Sequence, residues 1–291
     1  MVPQQQIIKR SFPHYIKELS RIKISSKILI FSTSKINICM NTKIIAVANH
    51  KGGVGKTTTV ASLGSILSKK GYKVLLIDLD AQSNLTTSLS APTEGPTIYD
   101  ALTGKVEELP IVSLNENLHL VPASLTLAMV DVELSTAIAR ERILSDVLQK
   151  AKVEEKYDFV FLDCPPSLGL MTLNAFTAST DIVIPLISEV LPFKGLTMIN
   201  DFINMVSTRL NPKAHISGIL ITRWETSNLS RGIEAKLREA VGDTVFQTKI
   251  RKNVRLAEAP LERQDILDYD KNSNGAKDYA AFTDEFLAHI Q

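Results

Sequence analysis

The chain has 291 residues, of which 44% are hydrophobic and 22% are charged, and its formal net charge is +2. This length and composition suit one large α/β domain, or two small ones, with a substantial core. Its two cysteines, Cys39 and Cys164, exclude a disulfide framework and indicate a reducing compartment, and no apolar run is as long as a membrane span.

Residues 1–39 differ in charge from the rest of the chain. They hold seven Lys or Arg and one Glu, whereas the remainder carries 26 basic and 30 acidic residues. Three interpretations stay open for this basic extension: a tail that binds nucleic acid by charge, a targeting segment, or an artefact of the assigned start. We expect it to be disordered or a start-site artefact, with the folded domain spanning residues 40–291.

From Met40 onward, apolar β-rich runs alternate with segments of helical spacing. This alternation predicts a doubly wound α/β fold, in which a mostly parallel sheet carries helices on both faces. The predicted strands cover residues 43–49, 73–78, 118–122, 157–163, 181–186 and 216–222. The predicted helices cover residues 57–70, 133–152, 193–210, 230–241 and 276–290, with loop and one short helix expected over 91–117.

A glycine-rich loop separates the first predicted strand from the first predicted helix. It reads Lys51, Gly52, Gly53, Val54, Gly55, Lys56, Thr57, Thr58. In this context glycines let several backbone N–H groups approach one phosphate group, and the start of the helix adds favourable partial charge. Lys56 would reach the β- and γ-phosphates of a nucleotide and Thr57 would ligate Mg²⁺, although His50 stands where the usual pattern begins with glycine.

Carboxylates end two of the other predicted strands. Asp163 closes an apolar run about one hundred residues after the glycine loop, the position from which a carboxylate orients a magnesium ion. Asp78 and Asp80 close the second strand, where they would touch the water shell of the metal and orient the attacking water. The alternative for Asp78 is that it only caps a helix or forms a turn.

Four stretches together resemble the ParA/MinD family of ATPases, and the ParA branch in particular. The glycine loop has the family's deviant K-G-G-x-G-K-[ST] form, and residues 78–84 follow D-x-D-P-Q-x-N except that Ala81 replaces proline. The other two stretches are Cys-Pro-Pro-Ser-Leu-Gly at 164–169 and Asn-Val-Arg-Leu-Ala-Glu-Ala-Pro at 253–260. The likeness begins at Met40, where family members typically start, and it implies a P-loop NTPase fold that uses ATP and Mg²⁺.

The resemblance also implies roles for individual residues. Lys51 would cross a dimer interface to the partner's nucleotide, so that two ATP molecules lie sandwiched between two subunits. Asp80 would activate water, with Asp80 and Asp163 beside the metal. Asn253 would contact the nucleotide base, although the family's preceding Pro-Arg is Arg251-Lys252 here.

In the ParA family, arginines of the C-terminal half bind DNA without sequence preference. Arg223, Arg231 and Arg255 are the candidates among the basic residues after the last predicted strands. Thr226-Ser227 replace the arginine that the family usually has before Asn-Leu, and Arg223 or Arg231 would substitute for it. The resemblance thus implies a cytoplasmic, nucleoid-associated partition ATPase whose ATP-driven dimer binds DNA. A ParB-like partner would stimulate hydrolysis and release.

Two other functions fit the same fold. A MinD-like division regulator needs a basic amphipathic C-terminal helix for the membrane, whereas this chain ends in an acidic segment without lysine, which argues against membrane binding. A small-molecule ATP-dependent ligase stays open, and its turnover would require a substrate where partition-type turnover responds to DNA and a protein partner.

Overall fold

The computed structural model of the chain describes residues 42–92, 94–188 and 192–290, so the predicted extension over residues 1–39 lies outside it. The strands are β1 Lys43–Val47, β2 Val74–Asp78, β3 Val112–Ser113, β4 Leu118–Val121, β5 Phe159–Asp163, β6 Asp181–Ile187, β7 His215–Trp224 and β8 Val245–Arg251. The helices are α1 Lys56–Lys69, α2 Asn84–Ser88, α3 Ile98–Leu102, α4 Val130–Glu133, α5 Ile143–Lys150, α6 Val153–Lys156, α7 Leu170–Ala178, α8 Pro192–Arg209, α9 Asn228–Val241, α10 Arg255–Glu258, α11 Ile266–Asp270 and α12 Asn274–Ile290, with short 3₁₀ helices at Leu125–Met129 and Gly242–Thr244.

Within the described ranges the strands form one sheet in the order β3-β4-β2-β5-β1-β6-β7-β8. Every neighbouring pair is parallel except the short antiparallel pair of β3 and β4. Parallel strands place their carboxyl ends at one edge of the sheet, where ligands of open α/β folds bind. The mostly parallel, doubly wound sheet predicted from the sequence is confirmed.

The central strands are buried on both faces, which explains their continuous apolar sequences. All five residues of β2 and of β5 are buried. One face packs against α1 and α12, where Leu63 and Phe286 join the same apolar cluster. The other face packs against α5, α7, α8 and α9, with Phe176 and Ile203 in its cluster. The sheet therefore forms the middle layer of three.

The helix predicted over residues 133–152 is wrong over most of its length, because only α5 is a regular helix there. Residues 134–142 form turns, and Ala139 has a left-handed backbone with φ +53°. The side chain of Asn174 in α7 explains where α5 starts, since it donates to Arg140 O at 2.9 Å and accepts from Leu144 N at 3.0 Å. A contact with a residue distant in the sequence, Asn174, thus determines where the helix begins, and the local sequence pattern does not.

Two elements beside the candidate site were not predicted. The edge strand β8 lies against α12, whose Glu285 accepts from the backbone N–H groups of Gln247 and Thr248. The second element, α7, begins directly after the loop that follows β5. Among the described residues, no helix combines the length and the apolar character needed to cross a bilayer.

Candidate active site

The loop between β1 and α1 changes direction at two glycines. Gly53 has φ +71° and Gly55 has φ +89°, a backbone region that is strained for residues with a side chain. Val54 between them is 1% exposed, and its carbonyl accepts a hydrogen bond from Thr222 Oγ1 at 2.8 Å. Lys51 and Gly52 are exposed at the mouth of the loop. The loop is thus anchored to β7, with open space beside Gly52 and Gly53.

The start of the same loop is fixed by one amide side chain. Asn49 is buried, donates from Nδ2 to Pro185 O at 2.7 Å and accepts from Lys51 N at 3.0 Å. This pair of bonds ties the end of β1 to β6 and sets the direction in which the chain enters the glycine turns.

Lys56, Thr57 and Thr58 are the first residues of α1. Lys56 is 7% exposed, and its Nζ lies 3.4 Å from the carbonyl oxygen of Lys51. Burial lowers the pKa of the Lys56 ammonium, and the negative charge of nearby Asp163 acts in the opposite direction. A largely buried cation at a helix start is well placed to bind phosphate.

Asp163 and Asp78 end neighbouring strands in register. Asp163 is 1% exposed, and neither of its carboxylate oxygens has a hydrogen-bond partner within the described structure. Burial raises the pKa of this carboxyl well above its usual value, and the charge of Asp78 adds to the effect, while Thr57 and Lys56 partly offset it. An unpartnered buried carboxylate is costly unless a cation or ligand completes it.

Asp78 and Asp80 have different surroundings although they are two residues apart. Asp78 is fully buried and accepts from Thr86 N, Thr86 Oγ1 and Asp80 N at 2.8 to 3.1 Å. Burial raises the pKa of Asp78 to about 6 despite these bonds. Asp80 is partly exposed and accepts from Gln82 N at 3.0 Å. Asp78 therefore holds the turn and α2, which agrees with the capping alternative, and Asp80 faces the edge of the sheet.

The residues at this edge fit a magnesium ion. Mg²⁺ takes oxygen ligands, and it is bound in nucleotide sites by one or two protein oxygens together with phosphate oxygens. The unpartnered oxygens of Asp163 and the half-buried Thr57 supply such atoms beside Lys56. Burial without a hydrogen bond at Asp163 is the observation that favours a cation here.

Asn253 lies in the short loop after β8, and its side chain is already engaged. Its Oδ1 accepts from Arg255 N at 2.8 Å, which closes a local turn just before α10. The loop is fixed by Arg251, which donates from its backbone N, Nε and Nη2 to Asp278 of α12 at 2.6 to 3.2 Å. The predicted contact of Asn253 with the base stays a prediction.

The three predicted DNA-binding arginines differ in their contacts. Arg223 is exposed at the end of β7 with φ +49°, and Arg231 is exposed on α9, where Nη2 donates to Asn228 Oδ1 at 2.7 Å. Arg255 is paired with two carboxylates, Glu258 at 2.8 Å and Asp270 at 3.5 Å. The charge of Arg255 is thus locally compensated, whereas Arg231 is held by a neutral amide.

Sequence reasoning missed three residues that hold the glycine loop. Asn49 and Thr222 bind its backbone as described above, and Tyr279 Oη lies 3.1 Å from Thr59 Oγ1 at the base of α1. Tyr279 is 1% exposed and comes from the C-terminal helix. Asn49 directly precedes the loop and its bond to Lys51 N is local. No local motif marks Thr222 or Tyr279, because their contacts join segments far apart in the chain.

The family model described as an AAA domain matches residues 42–216. The chain is 39% identical over 253 residues to the sporulation initiation inhibitor protein Soj of Bacillus subtilis, covering 85% of this chain and 99% of that protein. It is 36% identical over 251 residues to the chromosome partitioning protein ParA of Caulobacter vibrioides, covering 84% of this chain and 94% of that protein.

A solved structure from Mycobacterium smegmatis, named cobyrinic acid a,c-diamide synthase and bound to an ATP analogue and magnesium, matches with a TM-score of 0.74. It is 34% identical to this chain, and the match covers 86% of this chain and 96% of that one. Each of these matches to a protein or a solved structure covers 84–86% of this chain.

Proposed function

The chain belongs to the Soj/ParA family, and from this membership we propose that it is a partition ATPase. It binds ATP with Mg²⁺ and hydrolyses ATP to ADP and phosphate. The observation that carries this proposal is the unpartnered, buried Asp163 beside Lys56 and the glycine loop. This combination suits a magnesium nucleotide because it offers an anion for the metal and a cation for the phosphates.

Each residue of the site then has a distinct task. The backbone of the loop at 52–55 and the ammonium of Lys56 bind the phosphates, while Thr57 and Asp163 would hold Mg²⁺. The bound ion would neutralise charge on the phosphate oxygens. Asp80 orients the attacking water, because it lies at the edge of the sheet and is held by the turn that Asp78 fixes.

We further propose that ATP brings two copies of the chain together. Lys51, at the exposed mouth of the loop, would reach the nucleotide of the other subunit and offset its phosphate charge. The dimer would bind DNA without sequence preference through Arg223, Arg231 and Arg255. A ParB-like protein would stimulate hydrolysis, and the DNA would then be released. Nucleoid association follows from this DNA binding.

The domain that carries these activities is proposed to span residues 40–291. Its first described residue, Thr42, donates from Oγ1 to Glu154 O at 2.7 Å and also bonds to Tyr157 O, so the start of β1 is held by α6 and the chain that follows it. Residues 1–39 are proposed to be dispensable for ATP turnover.

A small-molecule ligase is the second candidate, because one similar solved structure carries the name of a diamide synthase. The two functions differ in what stimulates turnover. Double-stranded DNA of arbitrary sequence would engage a partition ATPase, whereas a ligase would need a carboxylic acid substrate and an amine donor. A MinD-like regulator receives no support from the acidic end of α12, which contains Asp284 and Glu285.

Lys56→Ala tests the nucleotide site. Removal of the buried ammonium should weaken ATP binding by at least about 30-fold, which corresponds to about 2 kcal/mol for charged hydrogen bonds. Titration of the fluorescence of the single tryptophan with ATP and Mg²⁺ measures it. Lys70→Ala is the matched control, because it removes a lysine at the other end of α1 that pairs with Asp284. An affinity of Lys56→Ala within threefold of the unmodified chain would reject the phosphate-binding assignment.

A further inference from the structure

A buried hydroxyl group lies beside the junction of the glycine loop and α1. Tyr279 of α12 is 1% exposed, and its Oη lies 3.1 Å from Thr59 Oγ1, in a hydrogen bond that either hydroxyl can donate. Thr59 is fully buried, and its backbone N donates to Gly55 O at 2.9 Å. The same Oη would lie 3.9 Å from a Cβ atom added at Gly55. The Tyr279 hydroxyl therefore adjoins the residues on both sides of the Lys56–Thr58 stretch.

The hydroxyl of Thr59 joins two helices. Threonines inside helices commonly bond the carbonyl oxygen four residues earlier, and Thr177 and Thr283 do so in α7 and α12. Thr59 Oγ1 instead contacts Tyr279 Oη, and the contact ties the first turn of α1 to α12. Burial raises the pKa of the Tyr279 hydroxyl, so the group stays protonated near neutral pH. A buried hydroxyl is costly without a partner, and each of these two satisfies the other.

The position of the Tyr279 hydroxyl is set by contacts of α12 that do not involve the glycine loop. Asp278 accepts three hydrogen bonds from Arg251 at the end of β8. Glu285, two turns further along α12, accepts from two backbone N–H groups of the same strand. The tyrosine ring lies in the apolar cluster that also contains Phe282. The hydroxyl is thus a fixed point against which the first turn of α1 is placed.

A second anchor reaches the same junction from β7. Thr222 Oγ1 donates to Val54 O at 2.8 Å, and its Cγ2 would lie 3.7 Å from a Cβ atom added at Gly55. One anchor therefore holds the backbone of the loop, and the hydroxyl of α12 holds the turn that follows it. Lys56 and Thr57, which carry the groups assigned to phosphate and Mg²⁺, come directly after Gly55.

We propose that Tyr279 is a positioning residue for the magnesium nucleotide, an inference that rests on the proposed ATP-binding function. Through Thr59, its hydroxyl holds the first turn of α1 where Lys56 meets phosphate and Thr57 meets Mg²⁺. Groups that bind a ligand must be held within about 0.5 Å of their productive positions by the hydrogen bonds and packing around them. Asp80 belongs to another segment, so the contact governs binding of the nucleotide more than activation of water.

Tyr279→Phe tests the proposal, because it removes the hydroxyl and keeps the ring in its cluster. The dissociation constant of ATP with Mg²⁺, measured by tryptophan fluorescence on the full chain, should rise at least fivefold. The kcat at saturating ATP, measured by phosphate release, should fall by a smaller factor. Thr59→Val removes the other hydroxyl, keeps the branched shape and should act in the same way. The double variant should bind ATP no more than twofold more weakly than the weaker single variant, since both changes remove one contact.

Tyr157→Phe is the matched control, since it removes a tyrosine hydroxyl that lies 2.7 Å from His119 Nδ1, before the start of β5, and should leave ATP affinity unchanged. Thr59→Ser keeps a hydroxyl and should bind ATP nearly as well as the unmodified chain. If Tyr279→Phe does not fold, Thr59→Val carries the test. A merely structural role would lower stability in urea and leave ATP affinity within twofold, which would overturn the proposal. Multiplying losses in the double variant would also overturn it, because the hydroxyls would then act separately. Absence of ATP binding by the unmodified chain would instead reject the proposed ATPase function.

Discussion

Asp78 and Asp80 illustrate how two identical side chains acquire separate roles from their surroundings. Asp78 is enclosed between strands and satisfied by Thr86 and the backbone of Asp80, whereas Asp80 keeps one side toward solvent. Hydrogen bonds that hold a turn contribute to stability, and a carboxylate at an open edge is available to water. Removal of Asp80 should therefore affect ATP turnover, whereas removal of Asp78 should affect the stability of the fold.

Asp80→Ala should stop ATP turnover and preserve ATP binding, because the proposed role of Asp80 is to orient water and not to hold the nucleotide. The ATP-bound dimer should then accumulate, which light scattering with ATP measures alongside phosphate release. Asp78→Ala is the contrasting variant. It leaves the Thr86 N–H and hydroxyl and the Asp80 N–H without their acceptor, so it should lower the free energy of unfolding by about 2–3 kcal/mol. A monomeric Asp80→Ala protein in saturating ATP would contradict the assigned role.

The residues of the site that are contiguous in sequence could be predicted, and those that meet only in the fold could not. The first strand, the glycines, Lys56 and Thr57 form one contiguous stretch of sequence. Their order along the chain is the motif that predicts a phosphate-binding loop. The contact of Thr222 with Val54 joins residues 168 positions apart. Nothing near Thr222 in the sequence marks it as the anchor of the loop, because the pairing depends on the order of strands in the sheet.

At the scale of elements, the reliable predictions were the buried parallel strands. Their uninterrupted apolar runs follow from burial on both faces, as in β2 and β5. The edge strand β8 was missed because it lies at the end of the sheet and carries charged and polar residues such as Lys249 and Arg251. The helix predicted over 133–152 was too long. Its local sequence pattern favours a helix throughout, but the hydrogen bonds of Asn174 with Arg140 O and Leu144 N fix the start of the helix near residue 143.

Gly218→Ala tests how β7 packs against β8. A methyl group at Gly218 would lie 2.2 Å from Phe246 Cε2. Because this ring belongs to the apolar cluster that faces α12, it has little room to move. Overpacking of this kind should lower the free energy of unfolding by about 1–3 kcal/mol.

Urea denaturation measures this change, and Gly232→Ala is the matched control. Gly232 lies within α9 with nothing within 4 Å of the added methyl group. Its replacement should raise stability by about 0.5–1 kcal/mol, because alanine favours the helix. Equal stability of Gly218→Ala and the unmodified chain would mean that Phe246 rearranges without cost.

At the scale of the whole molecule, the sheet order gathers segments from the entire domain at one edge. The glycine loop lies near the middle, the carboxylates lie on the β2 and β5 side, and the candidate DNA-binding arginines lie at the end of β7 and near the starts of α9 and α10. The C-terminal helix α12 connects both regions, since Asp278 binds Arg251 and the adjacent Tyr279 binds Thr59 behind the loop. The helix α12 therefore contacts both the segment behind the glycine loop and the segment that carries the proposed DNA contacts.

The last prediction concerns DNA, and it uses the chain beginning at Met40 because residues 1–39 carry their own positive charge. This chain should keep ATP turnover and bind DNA of unrelated sequences only with ATP, since the dimer doubles the number of cations on one face. Contacts of Lys and Arg with phosphate make affinity fall steeply with salt, and each lost contact lowers the log–log slope by about 0.9. Arg231→Ala removes two contacts per dimer, so the slope should fall by roughly 2.

Fluorescence anisotropy of labelled duplexes at several salt concentrations measures this slope. Arg255→Ala should have a smaller effect, because Glu258 and Asp270 already compensate that charge. Arg140→Ala is the control, since Arg140 is exposed on the segment before α5 and donates to Ser135 O, away from the loops after β7 and β8. Equal DNA affinity in ADP and ATP would remove nucleotide control from the mechanism, and the ligase would then become the better interpretation. An unchanged slope in Arg231→Ala would instead place the phosphate contacts elsewhere on the dimer.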